Sequence, residues 1–291
     1  PGPRPGDPRQ IVRIALLDNG RPAAMVAIND KGVFTPVALP KAEPLGPQQK
    51  AQTGNDEEEE EEEEERGGTG ARLTAAEILW RNFTALMQRA LNYAPGQLPL
   101  DAPCLLVLGL GADSMEAARN ALEDGLAAVW EEAGIIDGLV ASSEAQAAAM
   151  WRLREETEQI EHAHHLPPSF DVSVPGGALD DYVRRIGAGL KRVDASYAPY
   201  VFGHLADGNL HISINTDGPL SHERHEAIED VLYDGLARAG GSFSAEHGVG
   251  LEKRDAYERH ADPVKRELAS MIKRMIDPAN MMNPGKVVSA E

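Results

Sequence analysis

Three histidines and a glutamate occupy two short stretches of this chain at spacings that suit metal-assisted proton chemistry. The first stretch is Phe202-Gly203-His204-Leu205-Ala206-Asp207-Gly208-Asn209-Leu210-His211, and the second is Ser244-Ala245-Glu246-His247-Gly248-Val249-Gly250. Asp-Gly between two β-like runs is a strong hairpin signal, because a type I′ turn needs positive φ at both central positions. With Asp207 and Gly208 at those positions, His204 and His211 are expected directly opposite each other, their Cβ atoms roughly 4.5–5.5 Å apart. Two imidazoles so placed suit one shared ion. Glu246, in a glycine-flanked loop, is the candidate third ligand, and a His2Glu set leaves positions open for substrate. Neighbours in an extended segment point to opposite sides, so His247 is assigned proton transfer rather than the ion. Histidines also pair on sheets for packing alone; Asp-Gly-Asn at the centre and Glu-His in a Gly-rich loop favour the metal. Zn²⁺ suits these donors best, and Mn²⁺ or Fe²⁺ also fits.

The elements that must hold these residues can be read from periodicity. Tyr200 to His204 and Asn209 to Asn215 form the hairpin, followed by a helix from about Ser221 to Ala239 and a last one from about Pro263 to Ile276. Upstream, the Thr74-Ala75-Ala76-Glu77 pattern predicts a capping box opening a helix, so the folded domain is expected from residue 74 to 291. Cys104 to Leu108 reads as a buried strand before a helix from about Ser114 to Ala133. The intervening Gly109-Leu110-Gly111-Ala112-Asp113-Ser114 imitates a dinucleotide fingerprint but ends in Ser, so a tight strand-to-helix turn explains its glycines. Ser143 to about His165 reads as a helix, with His162, His164 and His165 as a helix-end feature favoured by the dipole. Phe170 to Val174 is a strand and Leu179 to about Val193 a helix. This alternation predicts an α+β fold, an antiparallel sheet with helices on one face in an extended ferredoxin-like arrangement, plus a small C-terminal helical region.

Residues 1–38 are expected to be a hairpin appendage, Ile11 to Leu17 turning at Asn19-Gly20 into Ala23 to Ile28. Residues 39–73 are expected to be a disordered linker or insertion, since Asp56 and Glu57 to Glu65 form ten adjacent acids that repel one another and bury nothing. The formal net charge is −19, and the remainder is still acidic without that run. Nucleic acid is therefore excluded as a partner, for want of a phosphate-neutralising surface. The single cysteine, Cys104, precludes an intrachain disulfide, and no apolar run is long enough for a transmembrane segment. The expectation is a soluble intracellular protein of cytoplasm or mitochondrial matrix, with room for a homodimer. Pro1 in place of Met points to a fragment or processed product.

The two stretches, with Phe170-Asp171-Val172-Ser173-Val174-Pro175 and Met282-Asn283-Pro284-Gly285-Lys286, resemble the C-terminal half of FAD-linked oxidases that act on D-2-hydroxy acids. The resemblance runs from about Thr74 to Val288. It implies a metal on His204, His211 and Glu246, His247 as the base for the substrate hydroxyl, and Arg154 as the group that holds the substrate carboxylate. It also implies that Gly248 and Asn283 face the FAD. In hydroxyglutarate-specific members a threonine, a lysine and an asparagine stand where this chain has Glu158, Ser169 and Ser213. Ser169 and Ser213 therefore meet a substrate without a second carboxylate, D-lactate being favoured. Residues 1–73 have neither the length nor the Gly-rich phosphate loops of a flavin domain, so that domain is expected from a longer parent chain or another subunit. Two other classes remain open: a metal-dependent hydrolase, and a non-catalytic metal-binding or assembly module.

Overall fold

The computed structural model describes residues 23–28, 71–94, 97–98, 102–130, 133–141, 143–286 and 288. The acidic run and the expected strand Ile11 to Leu17 lie outside the described residues. In chain order the elements are β1 (Ala23–Ile28), β2 (Arg72–Trp80), α1 (Arg81–Ala90), β3 (Cys104–Gly111), α2 (Met115–Val129), β4 (Ile135–Val140), α3 (Glu144–Glu155) and α4 (Gln159–Ala163). Then follow β5 (Ser169–Ser173), α5 (Leu179–Val193), β6 (Pro199–His204), β7 (Asn209–Ile214), α6 (His222–Tyr233), α7 (Arg254–His260) and α8 (Pro263–Ile276). The seven strands form one sheet, ordered β4-β1-β3-β2-β6-β7-β5, and every neighbouring pair is antiparallel.

The class is α+β, as expected, and two placements differ from the sequence reading. Ala23–Ile28 is no appendage, since it pairs with β3 on one side and β4 on the other. Thr74 to Glu77 does not open a helix but lies within β2. A capping box is a local device, whereas β2 gains ladder bonds from β3 and β6 and buries Ala76, Glu77, Ile78 and Leu79 in succession. Burial on both faces outweighs the local pattern. The helix starts only at Arg81.

That double burial also corrects the expectation of helices on one face. Successive strand residues point to opposite faces. Leu79, Leu105, Val107 and Phe202 pack with Phe83 and Met87 of α1, Met150 and Leu153 of α3 and Ile160 of α4. Ile78, Val201, Leu210, Ile212 and Val172 pack on the other face with Leu179, Ile186 and Leu190 of α5 and Ile228 and Leu232 of α6. Gly109 and Gly111 belong to β3, and a Cβ on either would stand 3.1–3.2 Å from Thr74 of β2, so close strand approach explains them. Ser114 caps α2, accepting from the Ala117 N–H at 3.1 Å.

Candidate metal and proton-transfer site

The hairpin differs in register from the sequence reading. β6 and β7 pair Phe202 with His211 and His204 with Asn209, leaving a four-residue loop, Leu205 to Gly208. Gly208 has φ +70, but Asp207 is not among the positive-φ residues, so a type I′ turn cannot form. Val174 N–H donates to Gly208 O at 2.9 Å, fastening the loop to the end of β5. His204 and His211 are therefore diagonal rather than opposite, still on one face, and their ring centroids are 5.8 Å apart. Imidazole is long enough to span the diagonal.

Glu246 completes the set. One ligand atom from each of His204, His211 and Glu246 lies within 4.8 Å of the other two. His204 Nε2 is 3.8 Å from Glu246 Oε1, and His211 Nε2 is 3.9 Å from Oε2. An ion with bonds of about 2.0–2.2 Å closes these gaps with small side-chain movements. Burial, then the neighbouring Arg154, pushes His211 below the ordinary imidazole pKa, which keeps it neutral and its lone pair available.

Glu77 is the partner that sequence reasoning missed. Its Oε1 is 2.8 Å from His204 Nδ1 and its Oε2 is 2.7 Å from Arg154 Nε. An ionised carboxylate only accepts, so the ring carries its hydrogen on Nδ1 and turns the Nε2 lone pair toward Glu246. Arg154 also lies over the Phe202 ring, 5.0 Å from its centroid. Its terminal nitrogens have no hydrogen-bond partner among the described residues.

Asp171, fully buried opposite His211 on β5, was also missed. Its Oδ2 accepts from the main-chain N–H groups of Ala245, Glu246 and His247 at 2.7, 2.7 and 3.2 Å. Its Oδ1 meets Lys253 Nζ and lies 3.2 Å from His247 Nδ1. Burial alone would raise the Asp171 pKa, but the Lys253 ammonium and the loop N–H groups outweigh it and hold the carboxyl below the usual range. Glu77 pairs with Arg154 and Asp171 with Lys253. Glu246 is thus left between two imidazoles with no Lys or Arg partner among the described residues.

Ser169 and Ser213 face each other across β5 and β7 on this same side, Oγ to Oγ 3.4 Å. Gly248 follows His247 at φ +68, its carbonyl accepting from Ser244 Oγ at 2.6 Å. Asn283 is exposed at φ +46 in a separate turn after α8, tied to α7 by Arg254 Nη1 donating to Gly285 O at 3.2 Å. His164, at the end of α4, bonds Tyr200 and Asp217 instead of joining a cluster.

The family model described as "FAD linked oxidases, C-terminal domain" matches residues 67–287. The chain belongs to this family. A D-2-hydroxyglutarate dehydrogenase of Stutzerimonas stutzeri (strain A1501) is 30% identical over 200 residues, which are 67% of this chain and 43% of that protein. The mitochondrial D-2-hydroxyglutarate dehydrogenase of Rattus norvegicus is 32% identical over 179 residues, 60% of this chain and 31% of the other. The chain thus spans less than half the length of these curated relatives. Among solved structures, p-cresol methylhydroxylase with substrate bound aligns at a TM-score of 0.53 and 13% identity, covering 99% of this chain and 54% of that one. At such identity the likeness shows the fold alone. Among the described residues, no helix is long and apolar enough to cross a membrane.

Proposed function

We propose that this chain is the substrate- and metal-binding half of a FAD-dependent D-2-hydroxy acid dehydrogenase, an oxidoreductase that converts the 2-hydroxy acid to the 2-oxo acid. The observation that carries the metal half is Glu246, a carboxylate with no fixed cation, set 3.8 and 3.9 Å from two imidazole nitrogens. Two imidazoles and a carboxylate suit Zn²⁺, and the same donors accept Mn²⁺ or Fe²⁺. The family match and the dehydrogenase relatives support the flavin half.

His204, His211 and Glu246 would hold a divalent ion, which would supply Lewis acidity at the substrate hydroxyl, and a bound flavin would supply the hydride acceptor. The chain's own residues do the rest. His247, with Nδ1 toward Asp171, presents Nε2 as the base for the hydroxyl proton. Arg154, its Nε fixed by Glu77, offers its terminal nitrogens to the substrate carboxylate as charge-assisted donors. Gly248, with its open φ, and Asn283 are assigned to the flavin. Ser169 and Ser213 put two neutral hydroxyls where a second carboxylate would need a cation, which favours a monocarboxylic acid such as D-lactate over D-2-hydroxyglutarate.

The test is anaerobic flavin bleaching by the zinc-loaded chain joined to the flavin-binding portion of a relative. D-Lactate should bleach the flavin faster than D-2-hydroxyglutarate, and His247→Ala should abolish it. Bleaching by neither acid, or bleaching that His247→Ala leaves intact, contradicts the proposal.

A further inference from the structure

The row of the sheet beside the candidate ligands is made of hydroxyls. Ser169, Ser213 and Tyr200 stand in line across β5, β7 and β6, and the neighbouring row is Asp171, His211 and Phe202. Residues two apart on a strand share a face, so the three hydroxyl side chains stand on the face of His211, about 7 Å along the strands. Arg154 covers the same face, over the Phe202 ring.

Tyr200 is the member of the row whose bonding is fixed. Its hydroxyl is 2.9 Å from His164 Nε2, and His164 Nδ1 is 3.3 Å from Asp217 Oδ1. A carboxylate only accepts, so the ring carries its hydrogen on Nδ1 and Nε2 accepts the Tyr200 O–H. The phenolic oxygen is left with a lone pair and no hydrogen to give. Burial raises the Tyr200 pKa, while Arg89 and Asp217 act on it in opposite directions, so the group stays a phenol. Ser213 Oγ, in turn, is 3.4 Å from Ser169 Oγ.

A row built this way suits a substrate side chain with hydrogens to donate. The methyl of D-lactate is too short to cross to it. The second carboxylate of D-2-hydroxyglutarate would face a tyrosine oxygen that only accepts. A hydroxyl meets the row on both counts, donating to Tyr200 and accepting from a serine.

We propose that Tyr200, held by His164, is a specificity residue that accepts a hydrogen bond from a hydroxyl on the substrate side chain, so that the substrate is a hydroxylated D-2-hydroxy acid of the aldonic class. This rests on the proposed dehydrogenase activity and narrows its monocarboxylic acid to one with a hydroxylated side chain. D-Lactate, on this account, leaves the row to water.

The test is isothermal titration of the zinc-loaded chain with D-2,5-dihydroxypentanoate and with D-2-hydroxypentanoate, which differ only in the terminal hydroxyl. Wild type should bind the dihydroxy acid about tenfold more tightly, near the upper worth of one neutral hydrogen bond. In Tyr200→Phe, which keeps the ring and loses the oxygen, the ratio should fall to about one. If circular dichroism shows that this variant does not fold, Tyr200→Leu takes its place with the same expectation. Equal affinities in wild type, or a preference that survives the substitution, overturn this proposal and leave the dehydrogenase reading standing. Failure of the zinc-loaded chain to bind either acid contradicts that reading, and this proposal with it.

Discussion

Asp171 holds Glu246 by its backbone: the buried carboxylate on β5 accepts the Glu246 N–H at 2.7 Å, so the loop that carries Glu246 is fastened to the strand beside His211. Removing that carboxylate frees three loop N–H groups and leaves Lys253, 13% exposed, without its counter-charge and with only Ser244 Oγ to meet it. Asp171→Ala should cost about 3–5 kcal/mol, the usual penalty for breaking a buried pair on one side. Zinc affinity should fall about 10–100-fold as the loop loses its aim. Urea unfolding and a zinc competition titration measure the two effects, and a variant that keeps wild-type zinc affinity would show that the loop is held by other contacts.

The same group sets an acid dependence. The folded pKa of Asp171 lies below its ordinary value of about 3.9, so its contribution to stability is complete above that value and is lost as pH falls through the lower, folded one. The gap in unfolding free energy between wild type and Asp171→Asn should therefore be constant near neutrality and narrow below about pH 4. A gap that stays constant to pH 2.5, roughly a unit and a half below the ordinary value, would contradict a charged Asp171.

Glu77 bears on the proposed metal site through His204, whose Nδ1 lies 2.8 Å from its Oε1. Glu77→Gln keeps the shape but no longer obliges the ring to carry its hydrogen on Nδ1, and it leaves Arg154 Nε without a counter-charge. Zinc affinity should drop about 10–100-fold, the usual effect of losing a carboxylate behind a ligating histidine, while the fold is retained. Isothermal titration alongside circular dichroism checks both, and unchanged zinc affinity would remove Glu77 from the site.

Gly208 is where the hairpin cannot take a side chain. Its φ is +70, and a Cβ there would overlap the Val174 carbonyl oxygen. Gly208→Ala should cost about 2–5 kcal/mol from left-handed strain plus overlap. It should also disturb the spacing of His204 and His211, so zinc affinity should fall with stability. A urea midpoint equal to that of wild type would contradict the loop geometry.

The convergence of His204, His211 and Glu246 was legible in sequence because Asp-Gly between β-like runs, and Glu-His between small residues, are local signals. Register was not, because it depends on Asp207 keeping an ordinary φ while the turn leans on Val174, 34 positions before Gly208. Glu77 was hidden by its own neighbourhood: Thr-x-x-Glu reads as a capping box until β3 and β6 pair on either side of it. Asp171 and Lys253 lie 82 positions apart, and only the closed sheet brings them together. The exposed face of α8, with Val264, Leu268, Met271 and Met275, was expected as a helix by spacing alone.

The most direct measurement is metal content of the purified chain after zinc loading and desalting, for wild type and for His204→Ala, His211→Ala and Glu246→Ala. About one equivalent in wild type and little in each variant is the expected result, since a three-ligand site rarely survives the loss of one donor. A wild type that retains no zinc, or occupancy indifferent to all three substitutions, would contradict the metal site on which the account turns.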